Sequence, residues 1–363
     1  MRFKDFLKSR VIHGDMEDIF SRDIPTSELY GKTIFVTGAT GMLASYFIYY
    51  LIWINEKHNA NIRIIALARH EDKLRDRYGR YLDKDYFESI IADVCDLPEI
   101  NESVDYIVHA ASLASPQYYT RIPVEVASAN VIGTYNMLNL AVEKKVKGFL
   151  YFSSGDIYGR MPDDAGIFSE NQMGTMNPMD IHSCYGESKR MGETFCKCFA
   201  EEHGIRACAV RIGHTYAPTM DMENDPRVFA SFMKCAVNRQ DIVMLSDGSA
   251  KRPFCYIADA VAAFIILLIR GEGGEAYNMT NTDMFVSVLE LAEAIATLEP
   301  DAHLKVIRKQ RDRNDNYLEN DLNHANCPGS EKLKRLGWKC EYNVRRGFSQ
   351  VLAYYREKEQ ING

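Results

Sequence analysis

The chain carries 363 residues, 46% hydrophobic and 26% charged, with a formal net charge of −7. That length exceeds one compact domain, and the composition is ordinary for a globular protein. The negative balance argues against nucleic acid or an anionic membrane surface as the main partner.

Residues 1–30 read as an extension, helical and amphipathic, with Phe3, Phe6, Leu7 and Ile12 as its apolar positions. Charges interrupt "MRFKDFLKSRVIHGDMEDIF", so it is no signal peptide. At Lys32 the texture changes. "KTIFVTG" reads as a buried parallel strand, "MLASYFIYYLIWINEK" as a helix, and "IRIIALAR", "ESIIADV" and "VDYIVHAAS" as three more strands. "NVIGTYNMLNLAVEKK" is a helix, "VKGFLYFSS" a fifth strand, "CYGESKRMGETFCKCFAEEHG" a long helix closed by glycine, and "RACAVRIG" a sixth strand. This alternation predicts an α/β fold, a doubly wound parallel Rossmann sheet over residues 31–215.

Beyond Tyr216 the elements become shorter and mixed. Helices are expected in "NDPRVFASFMKCAVN", "SVLELAEAIATL", "SEKLKRLGW" and "NVRRGFSQVLAYYREK", and a strand in "EAYNMT". Residues 216–363 are therefore expected to form a smaller, mainly substrate-binding domain that returns to the main sheet. The runs "YFIYYLIWI" and "AVAAFIILLI" are too short to span a bilayer and read as buried helices. The nine cysteines lack metal-ligand spacing, and the close pair Cys196 and Cys198 suits neither zinc nor a redox dithiol. Reduced thiols, no metal, no membrane partner and a cytoplasmic location are expected.

Three stretches carry chemistry. In "VTGATGMLA" Gly38 permits a tight turn, Gly41 lets the backbone approach a pyrophosphate, and Ala44 lets the helix pack close to the sheet. With a strand before it and a helix after it, this turn points to a dinucleotide. The second strand ends at Ala68 and Arg69, where an NAD-preferring fold usually has an acid. Arg69 could accommodate a 2′-phosphate, stack on adenine or face solvent, so NAD and NADP both stay open. Asp93 ends the third strand, as an adenine partner or a cap. In "HSCYGESKR" Tyr185 and Lys189 lie at i and i+4 on one helix face. A neighbouring ammonium and a positively charged nicotinamide would both lower the phenol's pKa and make it a base for a sugar hydroxyl. "LYFSSGDIYG" places Ser153, Ser154 and Asp156 at the end of the preceding strand, as a hydroxyl partner or simply a serine-rich turn.

Taken together, "TGATGMLA", "HAASLASP", "NVIGTYNML", "SSGDIYG", "YGESK", "RIGHTYAP" and "KRPFCYIAD" resemble the extended short-chain dehydrogenase/reductase family. The resemblance is to its nucleotide-sugar branch of epimerases, 4,6-dehydratases and UDP-glucuronate decarboxylases. It implies a nicotinamide cofactor used and regenerated within one turnover, a nucleotide-sugar substrate and a transient 4-keto sugar. It also implies Tyr185 as base, Lys189 as its modulator, Ser154 as hydroxyl partner and Asp156 beside them. Cofactor contacts would come from Gly38, Thr40, Gly41, Met42, Leu43, Arg69, Asp93, Val94, Ala110, Ala111 and Ser112. Substrate contacts would come from Ser115, Arg227, Arg252 and His214, although a satisfied buried histidine is the other reading of His214. His109 is expected to brace the cofactor loop.

"ASLASPQYY" and "TMDMENDPRVFASFM" look closest to the decarboxylases. Those enzymes carry Thr-Ser-Glu, and the dehydratases Thr-Asp-Glu, where this chain has Ser154, Gly155 and Asp156. Epimerisation is therefore ranked above decarboxylation, a keto-sugar reductase third, and a non-catalytic scaffold stands as the contrasting class. "DNYLENDLNHA" lacks the arginine that the family often uses for the nucleotide phosphates. Branch members often pair through the helices near 130–145 and 185–203, so a homodimer is expected.

Overall fold

The computed structural model describes residues 5–309 and 326–362, so Phe3 and the stretch 315–325 lie outside the described residues. The chain order is α1 (Arg10–Ser21), β1 (Thr33–Thr37), α2 (Met42–His58), β2 (Arg63–Ala68), α3 (Glu71–Tyr78), β3 (Phe87–Ile91) and β4 (Tyr106–His109). Then come α4 (Pro116–Arg121), α5 (Pro123–Lys144), β5 (Gly148–Ser154), β6 (Ile167–Phe168), α6 (Ser183–His203), β7 (Ala207–Ile212), β8 (His214–Tyr216) and α7 (Val228–Val237). The remainder is β9 (Ile242–Met244), β10 (Lys251–Tyr256), α8 (Ile257–Arg270), β11 (Ala276–Met279), β12 (Phe285–Ser287), α9 (Val288–Ala296), β13 (Val306–Arg308), β14 (Cys327–Pro328), α10 (Glu331–Lys334) and α11 (Val344–Asn362).

Seven strands form one sheet in the order β11-β7-β5-β4-β1-β2-β3, and every pairing in it is parallel. The period of two along each strand sorts side chains between two layers. Ile34 and Val36, Ile64 and Ala66, Leu150 and Phe152 join the core under α2 and α8. Phe35, Ile65 and Leu67, Phe149 and Tyr151 join the core under α5 and α6. Both faces are covered, which is why the strands read as continuous apolar runs. α2 and α8 are buried along nearly their whole length, matching their nearly uninterrupted apolar sequences. Among the described residues, no helix is long and apolar enough to cross a membrane.

β11 pairs with β7, so the strand expected in "EAYNMT" returns to the main sheet. The short strands β8, β10 and β12 form a second sheet, and β9, β13, β6 and β14 form two-stranded ribbons. Ser287 opens α9 with a reciprocal capping box to Glu290.

α1 packs on its own chain. Val11, Ile12, Met16 and Ile19 are buried in the α2/α8 core. Polar ties fix it further. Asp15 accepts hydrogen bonds from the phenols of Tyr46, Tyr256 (2.7 Å) and Tyr342 (3.4 Å). Arg22 pairs with Asp259 (2.8 Å), whose carboxylate also caps the backbone N–H groups of Glu341 and Tyr342. Ser9 donates to Glu357 at 2.8 Å. Helix α1 thus joins α2, α8 and the segment leading into α11.

Candidate functional site

At the carboxyl end of β1, Gly38 has φ +62, and a Cβ there would lie 2.8 Å from backbone atoms of Ala110 and Ala111. The turn after β1 is therefore pressed against the turn after β4, a contact that only glycine permits. Thr37 Oγ1 accepts from the N–H groups of Ala110 (3.2 Å) and Ala111 (3.1 Å). It also shares a hydrogen bond with His109 Nδ1 (2.7 Å), while His109 Nε2 meets Thr134 at 3.2 Å. Burial, then the charge of Lys189, lowers the His109 pKa to about 3. This histidine is a neutral brace of the loop. Gly41 precedes α2, whose first residues Met42 and Leu43 line the cleft and leave helix-start N–H groups without intrahelical partners. Thr40 lies in the turn between the two glycines. Ser112 Oγ, also lining the cleft, is buried and has no hydrogen-bond partner. A positive-φ glycine turn, an open helix start and an orphaned hydroxyl on one line fit a dinucleotide.

Among the expected cofactor residues, Asp93 and Arg69 show features of readings the sequence left open, a cap and an exposed side chain. β3 stops at Ile91, so Asp93 lies beyond the strand, and its Oδ1 caps the Cys95 N–H at 2.8 Å. Its other oxygen lies 3.7 Å from Arg69, and both side chains are exposed. Val94 is buried in the core against Gly133 of α5 and is not among the residues that line the cleft with Met42 and Leu43. Its apolar side chain packs where α5 crosses the sheet.

Tyr185 and Lys189 occupy the first two turns of α6. Gly192, one turn further, lets α6 approach β5 so closely that a Cβ would run into the Tyr151 phenol. Ser188 donates to the Tyr185 carbonyl (3.0 Å) and accepts from Asn130 (2.9 Å), fixing α6 against α5. The Tyr185 ring stacks on Tyr119, with centroids 4.9 Å apart. β5 ends at Ser154, whose Oγ accepts the Asp156 N–H at 3.1 Å. Ser153 does not face the cleft chemistry alone. It donates to Glu193 (2.5 Å), which pairs with the buried Arg211 (2.7 Å).

The electrostatics differ from the sequence expectation in one respect. Lys189 Nζ donates to the Phe152 carbonyl at 2.6 Å and sits over the rings of Tyr151 (4.8 Å) and Tyr185 (5.7 Å). Burial lowers its pKa to about 7. The Tyr185 phenol is pushed well above its ordinary value, first by burial and then by the charge of Asp156, against which the nearby hydroxyls of Ser154 and Ser112 act weakly. Desolvation penalises both charged forms, so this pair alone does not acidify the phenol. Asp156 faces the cleft, its carboxylate has no hydrogen bond or ion pair among the described residues, and desolvation raises its pKa.

One cavity of about 520 Å³ gathers these groups. Ser154, Gly155, Asp156, Tyr185 and Lys189 line it together with Arg227, Arg252 and His214. Ser115 does not line it, although its neighbours Ala114 and Pro116 do. Ser115 instead stands at the start of α4. Arg227 pairs with Asp225 (2.5 Å) and lies over the Phe229 ring. His214 makes an edge contact with Phe254, and neither ring nitrogen has a hydrogen-bond partner among the described residues. The satisfied-histidine reading is therefore overturned. Burial, with help from Arg252 and Arg227, lowers its pKa to about 3, so it is a neutral imidazole facing the cavity. Arg160, Lys251, Thr280 and Asn326 also line the cavity and escaped the sequence reading. Lys251 had a signal, being adjacent to Arg252 in a strand that reaches the site. Arg160 and Asn326 had none, because a loop and the β6/β14 ribbon carry them.

The model of the NAD dependent epimerase/dehydratase family matches residues 34–280. The chain belongs to this family. It is 31% identical over 317 residues to UDP-glucuronic acid decarboxylase 6 of Arabidopsis thaliana, covering 86% of each chain. It is 28% identical over 346 residues to UDP-glucuronic acid decarboxylase 1 of Danio rerio, covering 92% of this chain and 75% of that one. Among solved structures it is similar in fold to the UDP-glucose 4-epimerase of Thermotoga maritima (TM-score 0.73, 20% identity, 90% of this chain and 99% of that chain). It is likewise similar to the UDP-glucuronic acid 4-epimerase of Bacillus cereus (TM-score 0.71, 17% identity, 90% and 99%). Within the family match, β1 through β11 supply the seven-stranded sheet and the cavity wall bearing Ser154 and Tyr185.

Proposed function

We propose that this family member is a nucleotide-sugar epimerase acting through a transient 4-keto sugar. The observation that carries this reading is the meeting of Tyr185, Ser154 and an unpartnered Asp156 in one cavity that continues toward the glycine turn. When bound, NAD or NADP supplies a hydride acceptor and returns the hydride later in the same turnover. Tyr185 takes the proton of the sugar hydroxyl as the carbon–hydrogen bond breaks, and gives one back on reduction. Ser154 holds the same oxygen near the phenol. Lys189, in its ammonium form, favours the phenolate once a cationic nicotinamide adds to the local positive charge. Gly155 leaves open space beside these groups, since a Cβ there would meet only Ile212 O at 3.8 Å. That space allows a keto sugar to turn and present its other face.

A second reading, decarboxylation of a UDP-uronate, is favoured by a different observation. Arg160, Arg227, Lys251 and Arg252 all line the cavity and suit a sugar carrying a carboxylate. Oxidation at C4 turns such a sugar into a β-keto acid. Loss of carbon dioxide then leaves an enolate whose carbon must take a proton, and Asp156 stands in the same cavity. Incubating the protein with UDP-, GDP-, CDP- and dTDP-sugars separates the readings. An isomer of unchanged mass supports epimerisation, and carbon dioxide release supports decarboxylation. Tyr185→Phe keeps the ring stack on Tyr119, so it should retain cofactor and fold while turnover falls roughly 10²–10⁴-fold. Unchanged turnover in that variant would remove Tyr185 as the base, and no turnover of any sugar by the unaltered protein would favour a scaffold.

A further inference from the structure

The last residues of β5 carry the chemistry and have the least support from the sheet. β4 accompanies β5 only as far as Tyr151, through its pairing with His109, so Phe152, Ser153 and Ser154 are flanked by β7 alone. The single helical turn that follows, Gly155–Tyr158, brings Asp156 to the cavity. A strand end paired on one side is free to shift unless side chains hold it.

Helix α6 and β7 supply that hold. Lys189 donates to the Phe152 carbonyl at 2.6 Å, and one helical turn further on Glu193 accepts from Ser153 Oγ at 2.5 Å. Arg211, the register partner of Ser153 on β7, grips both oxygens of that carboxylate, with Nε at 3.0 Å and Nη2 at 2.7 Å. Its remaining nitrogen, Nη1, donates to the Tyr158 phenol at 2.8 Å and to the Glu170 carbonyl at 2.7 Å. The phenol donates onward to Asn278 of β11 at 2.5 Å. One guanidinium thus ties the residue before Ser154 to the residue two places after Asp156. Arg190 of α6 also holds the Ile157 carbonyl at 2.6 Å, so the Ser153 end depends most on the ion pair. Arg211 and Glu193 are only 8% and 13% exposed, and such burial is tolerated because every charge in the pair is met by hydrogen bonds. Neither is among the residues that line the cavity, so neither serves by touching substrate.

We infer that Glu193 and Arg211 are positioning residues for turnover: their ion pair clamps both ends of the segment 153–158 and so fixes the Ser154 hydroxyl and the Asp156 carboxyl against Tyr185. This rests on the reading that those three groups carry the reaction. Reacting groups must be held to about 0.5 Å, and a misplacement of about 1 Å costs on the order of a hundredfold in rate. A carboxylate suits the task because one oxygen serves Ser153 and Arg211 together while the other takes the second arm of the guanidinium.

The test compares the intact protein with Ser153→Ala, Glu193→Ala, their double variant and Glu193→Gln. Turnover is followed on a nucleotide sugar that the unaltered protein converts, cofactor binding by nicotinamide fluorescence, and the turn itself by crystallography. Ser153→Ala and Glu193→Ala should each lower kcat about tenfold to a hundredfold, while KM and cofactor affinity stay within about twofold. Ser153 itself lines the cavity, so the double variant is what separates position from contact. It should be no slower than the slower single variant, because the same hold is lost in all three. Glu193→Gln keeps an oxygen for Ser153 and should recover most of the rate. If Glu193→Ala does not fold, Ser153→Ala combined with Glu193→Gln replaces the double variant, and should be no slower than Ser153→Ala alone. Crystals of Ser153→Ala, which leaves the ion pair whole, should show Ser154 and Asp156 displaced relative to Tyr185 by about 0.5 Å or more. Losses that multiply in the double variant, a rise in KM with kcat unchanged, or an unmoved turn overturn the inference. An unaltered protein that converts no sugar overturns the enzymatic reading beneath it, and the crystals alone then decide whether the clamp holds the turn.

Discussion

Replacing Asp15 by asparagine should flatten the dependence of stability on pH. Asp15 is fully buried, and desolvation raises its pKa from 3.8 to about 7 in spite of three phenolic hydrogen bonds. The folded protein therefore holds a proton that the unfolded chain gives up above about pH 4. Stability from this group is intact below the unfolded value, falls as pH rises through the window from 3.8 to about 7, and stays lost above it. At about 1.4 kcal/mol per pKa unit, the full loss is about 4 kcal/mol, of which about 3 kcal/mol falls between pH 5 and 8. An unfolding entropy of about 2.1 cal/mol/K per residue makes that about 4 °C in melting temperature. The asparagine oxygen of the Asp15→Asn variant can accept from Tyr46 and Tyr256 as one carboxylate oxygen does, its amide NH2 faces Tyr342, and the side chain does not titrate. Calorimetric melts of both proteins at pH 5, 6, 7 and 8 should show the wild type losing about 4 °C more than the variant across that range. Parallel curves would refute the reasoning, because they would mean that Asp15 stays ionised in the fold.

Two further outcomes follow from packing. Gly38→Ala should abolish dinucleotide binding in a fluorescence titration and lower the melting temperature, since the new methyl both demands φ +62 and meets the Ala110 and Ala111 backbone at 2.8 Å; a cost of about 2 kcal/mol or more is expected. We propose a homodimer through the outer faces of α5 and α6, where Ile132 (46% exposed), Tyr135 (48%) and Met191 (38%) lie uncovered. Sedimentation equilibrium should give twice the chain mass, and Ile132→Glu with Met191→Glu should give monomer; a monomeric wild type would end the proposal.

The main sheet and the meeting of Ser154, Tyr185 and Lys189 were legible in the sequence because they depend on local periodicity. A strand of period two ends at Ser154, and an i, i+4 spacing aligns Tyr185 with Lys189. The protonation state of that pair was not legible. It depends on burial under Tyr119 and Tyr151, which come from other elements, and burial opposes the lowering expected from the ammonium and a cationic nicotinamide. The role of Asp15 was hidden for the same reason. On its own helix it is an ordinary acid, and its partners lie 31, 241 and 327 residues away. His214 reads as a core histidine locally, yet the β8–β10 pairing turns it to the cavity. The ribbons β9–β13 and β6–β14 comprise strands of only two or three residues, too short for any alternation to register.

The clasp that holds α1 has a bearing on how the protein is made. During synthesis Asp15 and Arg22 leave the ribosome long before Tyr342 and the backbone they secure, 327 positions later for the tyrosine. Until then helix α1 lacks the last of its polar anchors, and before α8 emerges its stripe of Val11, Ile12, Met16 and Ile19 has only part of its cover. The sheet can assemble first, and the opening helix docks when the closing one arrives. A fusion or cut near either of these segments would act on the whole molecule's assembly, far from the sugar pocket.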